Sequence, residues 1–212
     1  MDVFWDSSWT SIDEERVKEY QKRCGTEADN FIKLFREHGA ESVCDAGCGC
    51  GVLTEKLAAA LFHVSAFDIS EHAVEAAHRL LSAAHRQAEL KTASILETGY
   101  EDECFDGVAA RDVLDHMYRS EAVGAVRELL RITKPGGIVL FTFDALDDEY
   151  RAEPHTVNSD GDYVYTDGKW KGMVFHPYDP ETVQDILPPG ASAKIYSENG
   201  GWMIRLEKKI CV

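Results

Sequence analysis

An aspartate followed by glycines at alternate positions is the feature of this sequence whose chemistry can be inferred most directly. Asp45 ends a short apolar run, and Gly47, Gly49 and Gly51 follow it. Because glycine has no Cβ, such a segment can adopt positive φ angles and let its backbone approach a ligand closely. The segment predicts a strand, a tight turn and a helix over residues 52–61, with a ligand against the turn.

The glycine spacing distinguishes this turn from two phosphate-binding loops. The dinucleotide fingerprint G-x-G-x-x-G has two residues between its second and third glycines, whereas residues 47–51 read GCGCG. No Walker lysine follows the glycines either. The sequence therefore argues against a phosphate cradle.

The pattern D-x-G-x-G-x-G at residues 45–51 resembles the first motif of the Rossmann-like (class I) S-adenosylmethionine-dependent methyltransferases. The resemblance implies S-adenosylmethionine as cofactor, since its sulfonium and α-amino groups suit a neighbouring acid and it carries no pyrophosphate. Asp45 and the backbone of Gly47, Cys48 and Gly49 would then hold the amino-acid end of the cofactor.

A second acid follows at the distance that the resemblance requires. Residues 62–69 predict a strand that ends at Asp68, and Ser70 is a good N-cap for a helix over residues 71–84. A carboxylate at this strand tip can accept hydrogen bonds from both ribose hydroxyls. We expect Asp68 and Ile69 to contact the cofactor. The alternative is that Asp68 only begins a loop.

The third strand, predicted over residues 89–95, departs from the pattern of the family. The family commonly has an aspartate here for the adenine amino group, and this sequence has Ser94 instead. A serine accepts a hydrogen bond but adds no charge. Adenine selectivity is therefore expected to rest on Ser94, the Ile95 backbone and apolar packing.

Residues 105–117, FDGVAARDVLDHM, resemble the family's fourth motif. The strand is predicted over residues 107–110, and its exit lies at the carboxyl edge of the sheet, where ligands bind in open α/β folds. Arg111 is expected at the cofactor. His116 is the first candidate for a general base, because an unperturbed imidazole titrates near neutrality. A structural hydrogen-bonding role for His116 is equally compatible with the sequence.

The remaining landmarks complete a fold prediction. A helix over residues 121–132, a KPGG turn and a strand over residues 138–143 form another signature of the family. A helix over residues 179–186 and a hairpin of residues 191–197 and 202–208 follow. The prediction is an α/β, Rossmann-like, seven-stranded mixed sheet with helices on both faces and an antiparallel last strand.

The segment 144–180 is rich in acids, glycines and aromatic residues, and turn signals such as Asp167-Gly168 predict a small β-hairpin inserted after the fifth strand. A polar and aromatic insertion beside the ligand edge is a natural place for substrate choice. His155 and His176 are the next candidates for a base. The alternative is a hairpin that only caps the core or forms a dimer contact.

Residues 1–40 predict an N-terminal helical cap. Trp5, Trp9 and Tyr20 are candidates to close the pocket, with Tyr20 placed at the cofactor, and the alternative is that they are ordinary core or surface aromatics. Two amphipathic helices are predicted, over residues 12–24 and 27–38.

Bulk properties limit the function classes. A chain of 212 residues predicts one domain, residues 1–212, and a net charge of −16 disfavours nucleic acid as a partner. No apolar run predicts a membrane span, and no secretory signal is seen, so a cytoplasmic protein is expected. A small-molecule substrate and a monomer or homodimer complete the expectation.

The six cysteines do not predict a metal site. They lie at positions 24, 44, 48, 50, 104 and 211, without the paired C-x-x-C spacing of zinc sites. Reduced thiols are expected, and no metal is predicted.

The predicted reaction is in-line transfer of the sulfonium methyl group to an oxygen, nitrogen or sulfur atom of a small molecule. The protein mainly positions the two reactants, since effective molarity alone can remove several kcal/mol of barrier. Two alternatives stay open at this point, namely a non-catalytic S-adenosylmethionine-binding protein and an NAD-dependent oxidoreductase of Rossmann fold.

Overall fold

A central sheet of seven strands and a smaller sheet of three form the β structure of this computed structural model, which describes residues 2–10, 12–191, 193–198 and 201–210. The strands are, in chain order, β1 Ser42–Ala46, β2 His63–Asp68, β3 Glu89–Thr92, β4 Phe105–Arg111, β5 Thr133–Phe143, β6 His155–Val157, β7 Tyr163–Tyr165, β8 Val174–Phe175, β9 Ala193–Glu198 and β10 Gly201–Glu207.

The large sheet has the spatial order β3-β2-β1-β4-β5-β10-β9. The first five of these strands pair in parallel, whereas β10 pairs antiparallel with both β5 and β9. Strand order therefore reverses between β1 and β4, which opens a crevice beyond their carboxyl ends. The predicted fold class, including the antiparallel last strand, is confirmed.

The helices of the described part of the chain are α1 Asp2–Trp9, α2 Glu14–Glu37, α3 Val52–Ala59, α4 Glu71–Ala83, α5 Arg119–Ile132 and α6 Asp148–Ala152. Short 3-10 turns cover Leu114–His116, Gly168–Trp170 and Thr182–Ile186. The C-terminal helix predicted over residues 179–186 is thus only a 3-10 turn.

The two N-terminal helices predicted over residues 12–24 and 27–38 form one continuous helix, α2. Asp13 caps it by accepting a hydrogen bond from the Arg16 N–H at 2.8 Å. Its buried stripe passes without interruption from Cys24 through Ala28 to Phe31 and Phe35. This apolar spacing outweighs the weak helix preference of Gly25 and Thr26, the two residues between the predicted helices.

Helices pack on both faces of the large sheet, as the sequence predicts. Because successive side chains of a strand point to opposite faces, Val43 packs in the cluster that contains Phe31 of α2 and Leu57 of α3. Its neighbour Cys44 packs in the other cluster, with Leu129 of α5. Both faces of the sheet are therefore covered by helices, and the space available to a ligand lies at the strand ends.

Several boundaries differ from the prediction. Strand β3 ends at Thr92, three residues earlier than expected. The KPGG segment lies inside β5, which begins directly after α5 and carries an irregular register opposite Phe105 and Gly107. Gly136 accommodates this irregularity with a φ of +80°. The segment therefore bends a strand, whereas the sequence suggested a separate turn.

The insertion after β5 is larger than the predicted β-hairpin. It forms a three-stranded antiparallel sheet in the order β6-β7-β8, since His155–Val157 also pairs with Tyr163–Tyr165. The turn predicted at Asp167-Gly168 does lie between β7 and β8. Of the closing hairpin, β9 and β10 are confirmed, whereas its turn residues Asn199 and Gly200, like Cys211, lie outside the described residues.

Candidate active site

A cavity of about 800 Å³ lies beyond the carboxyl ends of β1, β2 and β4. This is the place where open α/β sheets bind ligands, and the size suits a cofactor together with a small molecule. Nine of the ten predicted cofactor residues and one predicted catalytic residue line it, namely Tyr20, Asp45, Gly47, Cys48, Gly49, Asp68, Ile69, Ile95, Arg111 and His116.

The glycine turn is held against the neighbouring strand by its own backbone. The N–H groups of Gly47 and Cys48 both donate to the Phe67 carbonyl, at 2.8 and 2.9 Å. Gly47 has a φ of +73°, and a Cβ there would lie 2.6 Å from a methyl group of Val113. Only glycine therefore fits this position without strain. Without a side chain here, the backbone itself lines the cavity.

Asp45 is a fully enclosed carboxylate at the edge of this turn. Its Oδ2 accepts a hydrogen bond from the Thr54 hydroxyl at 2.6 Å. Burial raises the pKa of Asp45 to about 6, against an ordinary value of 3.8. A cationic group brought next to it would favour the charged form, so the site is suited to a positively charged ligand group.

Asp68 joins the glycine turn to the tip of β2. Its Oδ2 accepts from the Gly49 N–H at 2.8 Å and its Oδ1 accepts from the Ser70 N–H at 2.9 Å. Burial raises its pKa above the ordinary range. Each carboxylate oxygen has about two acceptor sites, so the side chain, which lines the cavity, can still accept from a ligand hydroxyl.

Ser94 is the predicted cofactor residue that the structure does not bring to the cavity. Because β3 ends at Thr92, the chain turns early, and the Ser94 hydroxyl oxygen accepts a hydrogen bond from the Leu96 N–H at 3.2 Å. Ala93 and Ile95, on either side of Ser94, line the cavity instead. The prediction for Ile95 stays, and a contact by Ser94 is not supported.

Arg111 lies at the end of β4 and is held by two acids. Its Nε is 2.6 Å from a carboxylate oxygen of Glu27, and its NH2 nitrogen is 3.1 Å from Asp112. These ion pairs neutralise the guanidinium and fix α2 over the cavity. Residues one helical turn apart on α2, Arg16 and Tyr20, line it from this side.

Helix α1 covers the glycine turn and lines the adjacent part of the cavity. The Trp9 ring lies over the turn so closely that a Cβ on Gly49 would be 2.9 Å from it. Asp6 anchors the helix to α4, because its Oδ1 accepts from the Ser70 hydroxyl at 2.8 Å and lies 3.0 Å from Nδ1 of His72. The sequence suggested Trp5 and Trp9 as residues that close the pocket, and both line it.

His116 belongs to a second group of lining residues, which we call the aromatic half. It is defined by Trp5, His116, Asp144, Tyr150 and Trp170, whereas Asp45, Gly47, Gly49 and Asp68 form the loop half. The His116 ring meets Trp5 edge-on with a centroid distance of 5.1 Å. Burial lowers the pKa of His116 to about 4, so the imidazole is neutral at neutral pH.

The other two predicted catalytic residues do not line the cavity. His155 stacks on Tyr163 at a centroid distance of 4.6 Å, and its Nδ1 lies 2.7 Å from the Glu153 carbonyl. His176 is buried, with its Nδ1 2.8 Å from Asp162. Their ring contacts and polar partners belong to the small sheet and its connecting segments, so we do not assign a catalytic role to either.

Several lining residues were missed by sequence reasoning. Arg16 and Arg23 share one face of α2 with Tyr20, and this i, i+4, i+7 spacing was the signal that could have found them. Asp144, which lines the cavity, and Asp115, which is buried beside it, had no such signal. The Asp144 N–H donates to Oδ2 of Asp115 because the end of β5 folds against the Leu114–His116 turn.

Two cysteines of the glycine turn also line the cavity. Cys48 and Cys50 are both buried, and the structure shows both as free thiols. Burial raises the pKa of Cys48 well above its ordinary range and that of Cys50 to about 11. Both side chains are therefore protonated at neutral pH.

These features define a Rossmann-like domain in which a glycine turn and two strand-tip acids meet where strand order reverses. Sequence comparisons extend this result. Residues 43–137 match the sequence profile of a family described as "Methyltransferase domain". This match supports a class I S-adenosylmethionine-dependent methyltransferase domain over residues 43–137.

Individual relatives agree with this assignment. A malonyl-acyl-carrier protein O-methyltransferase of Erwinia pyrifoliae is 30% identical over 125 residues, covering 58% of this chain and 44% of that protein. A ubiquinone biosynthesis O-methyltransferase of Aromatoleum aromaticum is 33% identical over 101 residues, covering 47% and 42%. The chain thus spans less than half the length of these curated relatives.

The fold has close counterparts among solved structures. The crystal structure of the PH0226 protein from Pyrococcus horikoshii OT3 superposes with a TM-score of 0.78 over 95% of both chains, at 19% sequence identity. This likeness concerns the fold. No helix within the described residues is both long enough and apolar enough to span a lipid bilayer.

Proposed function

We propose that this protein transfers the methyl group of S-adenosylmethionine to a small molecule, with an oxygen atom as the favoured acceptor. The observation that carries the proposal is the division of one cavity into a loop half, with bare main chain and two acids, and an aromatic half. The similarity to two O-methyltransferases supports the choice of oxygen.

The loop half suits the cofactor. Asp45 and the backbone of Gly47 to Gly49 would hold the amino-acid end of S-adenosylmethionine, with Cys48 contributing backbone only. Asp68 would accept from the ribose hydroxyls, with Ile69 beside it, and Ile95 would pack against the adenine. Tyr20 and Arg111 line the same region and would enclose the bound cofactor.

The aromatic half suits the acceptor. Trp5, Tyr150 and Trp170 offer flat apolar surfaces, and His116 offers an Nδ1 atom that has no hydrogen-bond partner among the described residues. We assign His116, beside the Trp5 ring, the role of positioning the acceptor, which would fix the direction of attack. In the reaction, the methyl–sulfur bond breaks as the methyl–oxygen bond forms, and the acceptor proton is released.

Charge supports a small acceptor over a nucleic acid. The chain carries a net charge of −16, and a surface field of this sign opposes the approach of a polyanion.

Calorimetry with the purified protein tests the cofactor. We expect saturable binding of S-adenosylmethionine and none of NAD. Asp68→Asn should weaken binding by about tenfold or more, since a charged acceptor is lost at the ribose. Asp29→Asn changes the charge equally on the exposed face of α2 and should leave affinity unchanged.

Release of S-adenosylhomocysteine tests the reaction. Phenols, carboxylic acids, acyl thioesters, amines and thiols would be supplied in turn, and we expect turnover with an oxygen acceptor. Turnover with an amine or a thiol alone would replace oxygen by that atom. Cofactor binding without turnover on any acceptor would favour a non-catalytic binding protein and contradict the proposal.

A further inference from the structure

Three side chains converge beside the aromatic half of the cavity, where His116 and Asp144 line the wall and Asp115 is buried next to them. Asp115, His116 and Asp144 each offer one ligand atom, and these atoms lie within 4.8 Å of one another. Protein ligands stand about 2.0 to 2.6 Å from a divalent cation, so two ligands of one ion are separated by at most about 4 to 5 Å. The three atoms therefore have the spacing of a coordination site.

Two atoms of this group are buried without a partner. Oδ1 of Asp115 and Nδ1 of His116 have no hydrogen-bond partner in the described part of the chain, although the two residues are only 0% and 8% exposed. Such atoms are rare in folded proteins, because leaving a buried acceptor unpaired costs about 1–3 kcal/mol. Both atoms can accept and neither is satisfied, which is the condition of ligands that await a cation.

The neighbouring bonds fix the direction of these acids. Oδ2 of Asp115 accepts from the Asp144 N–H at 2.8 Å, which leaves Oδ1 as its unused oxygen. The Tyr150 hydroxyl donates to Oδ2 of Asp144 at 3.2 Å. A second hydrogen bond of this kind commonly orients a metal-binding carboxylate.

Acidic side chains outnumber the free basic ones around Asp115, His116 and Asp144. Asp115 and Asp144 lie side by side, because the Asp144 N–H donates to Oδ2 of Asp115, and their carboxylates repel each other when both are charged. Arg111 is already paired with Glu27 and Asp112. Arg23 reaches Asp144 only at 3.6 Å from an exposed position. A cation would relieve the repulsion.

We propose that Asp115, His116 and Asp144 bind a divalent transition-metal cation, through Oδ1 of Asp115, Nδ1 of His116 and a carboxylate oxygen of Asp144. Carboxylates suit Mn²⁺, and imidazole suits Fe²⁺ and Zn²⁺. His116 and Asp144 line the cavity, so an ion held here would lie at its wall. This proposal departs from the expectation, drawn from the cysteine spacing, that the protein holds no metal.

The role of the ion rests on the proposed function. An acceptor hydroxyl bound to such a cation would lose its proton to bulk water more readily, because the cation would stabilise the resulting anion. The oxygen lone pair then forms the bond to the methyl carbon, and the electrons of the carbon–sulfur bond stay on sulfur. No oxidant or further reactant is needed.

Electron paramagnetic resonance with Mn²⁺ tests the site in the full chain without any methyl acceptor. The free ion gives a sharp signal that binding broadens, and we expect one saturable site. Asp144→Asn and Asp115→Asn should each weaken binding by at least about tenfold. Asp148→Asn, an exposed position on α6, is the matched control and should bind as the wild type does.

Thermal unfolding of each variant would confirm that it is folded, and Zn²⁺ and Mg²⁺ would be tested as competitors. Absence of saturable Mn²⁺ binding, or equal binding by wild type and both ligand variants, overturns the site. Because this measurement needs neither cofactor nor acceptor, failure of the proposed methyl transfer leaves its result unaffected. Methyl transfer that is insensitive to a chelator, with the site intact, overturns the role in acceptor activation.

Discussion

The loop half and the aromatic half of the cavity are built in different ways. Residues 45–68 supply the whole loop half, largely through backbone groups and two acids at neighbouring strand tips. The aromatic half gathers side chains from α1, the turn after β4, the end of β5 and the inserted segment, between positions 5 and 170. A site made of backbone groups can be predicted from the spacing of nearby residues. A site made of distant side chains can be recognised only once the chain has folded.

The largest expected effect comes from filling the bare backbone. Gly47→Ala places a Cβ 2.6 Å from Val113 at a φ of +73°. An L-residue in this region costs about 1–2 kcal/mol before any clash, so the affinity for S-adenosylmethionine should fall about 100-fold, or about 2.7 kcal/mol. Calorimetry measures this change. An affinity for S-adenosylmethionine equal to that of the wild type would contradict the claim that the loop half binds the cofactor through its backbone.

The matched control is a glycine with free space around it. A Cβ on Gly25 would meet nothing within 4 Å, and the residue lies inside α2. Gly25→Ala should therefore leave cofactor affinity unchanged and stabilise the fold by about 0.5–1 kcal/mol, which denaturant unfolding can measure.

A change in the aromatic half should act on the acceptor alone. Trp170 packs against Tyr150 with a centroid distance of 4.8 Å. Removing an aromatic anchor commonly costs more than 1 kcal/mol, so Trp170→Ala should raise the KM of the acceptor by roughly tenfold while the cofactor affinity stays constant. Equal losses in both would show that the halves are not separate.

Acidification should weaken the loop half in a defined direction. The pKa of Asp45 is about 6 in the folded protein, so below pH 6 the carboxyl becomes neutral and loses its attraction for a cationic amino group. Affinity for S-adenosylmethionine should fall about tenfold between pH 7 and pH 5, because about one carboxyl in ten stays ionised at pH 5. Calorimetry across this range would measure it, and Asp45→Asn should remove this dependence.

The stability contribution of the same carboxyl has the opposite sign. Its pKa is higher in the folded state than the ordinary 3.8, so the folded state binds more protons and the unoccupied protein gains stability from Asp45 as pH falls through 6. Thermal unfolding of wild type and Asp45→Asn isolates this contribution. A cofactor affinity that rises on acidification would contradict the assigned role of Asp45.

The smallest expected effect concerns the helix that covers both halves. Asp6 joins α1 to α4 through Ser70 and His72, at a partly exposed position. Exposed pairs contribute little, so Asp6→Ala should speed cofactor dissociation by roughly two- to fivefold, as stopped-flow fluorescence of the nearby tryptophans would show. An unchanged rate would mean that α1 does not control exchange.

The sequence predicted the loop half well because its determinants are local. Asp45, Gly47 and Asp68 are placed by one turn and two adjacent strands. Ser94 was misplaced because the prediction extended β3 beyond Thr92, where the chain instead forms a turn around the serine hydroxyl. Strand ends depend on pairing with a neighbour, which local spacing does not encode.

The aromatic half could not be predicted to the same depth. His116 was found because it lies within a recognisable motif. Asp115 beside it was not identified, and Asp144 lies 29 residues from Asp115 in the sequence. His155 and His176 were predicted to be catalytic but lie away from the cavity. His155 instead stacks on Tyr163, and His176 lies against Asp162. Long-range packing decides these cases.

The two cysteines in the glycine turn bear on whether the protein could be methylated by its own cofactor. An activated methyl group alkylates the strongest nucleophile within reach, and a thiolate is among the strongest that proteins possess. Cys48 and Cys50 border the cavity, yet burial keeps both protonated at neutral pH. The same enclosure that shapes the turn thus protects the catalyst from inactivating itself and reserves each methyl group for the intended acceptor.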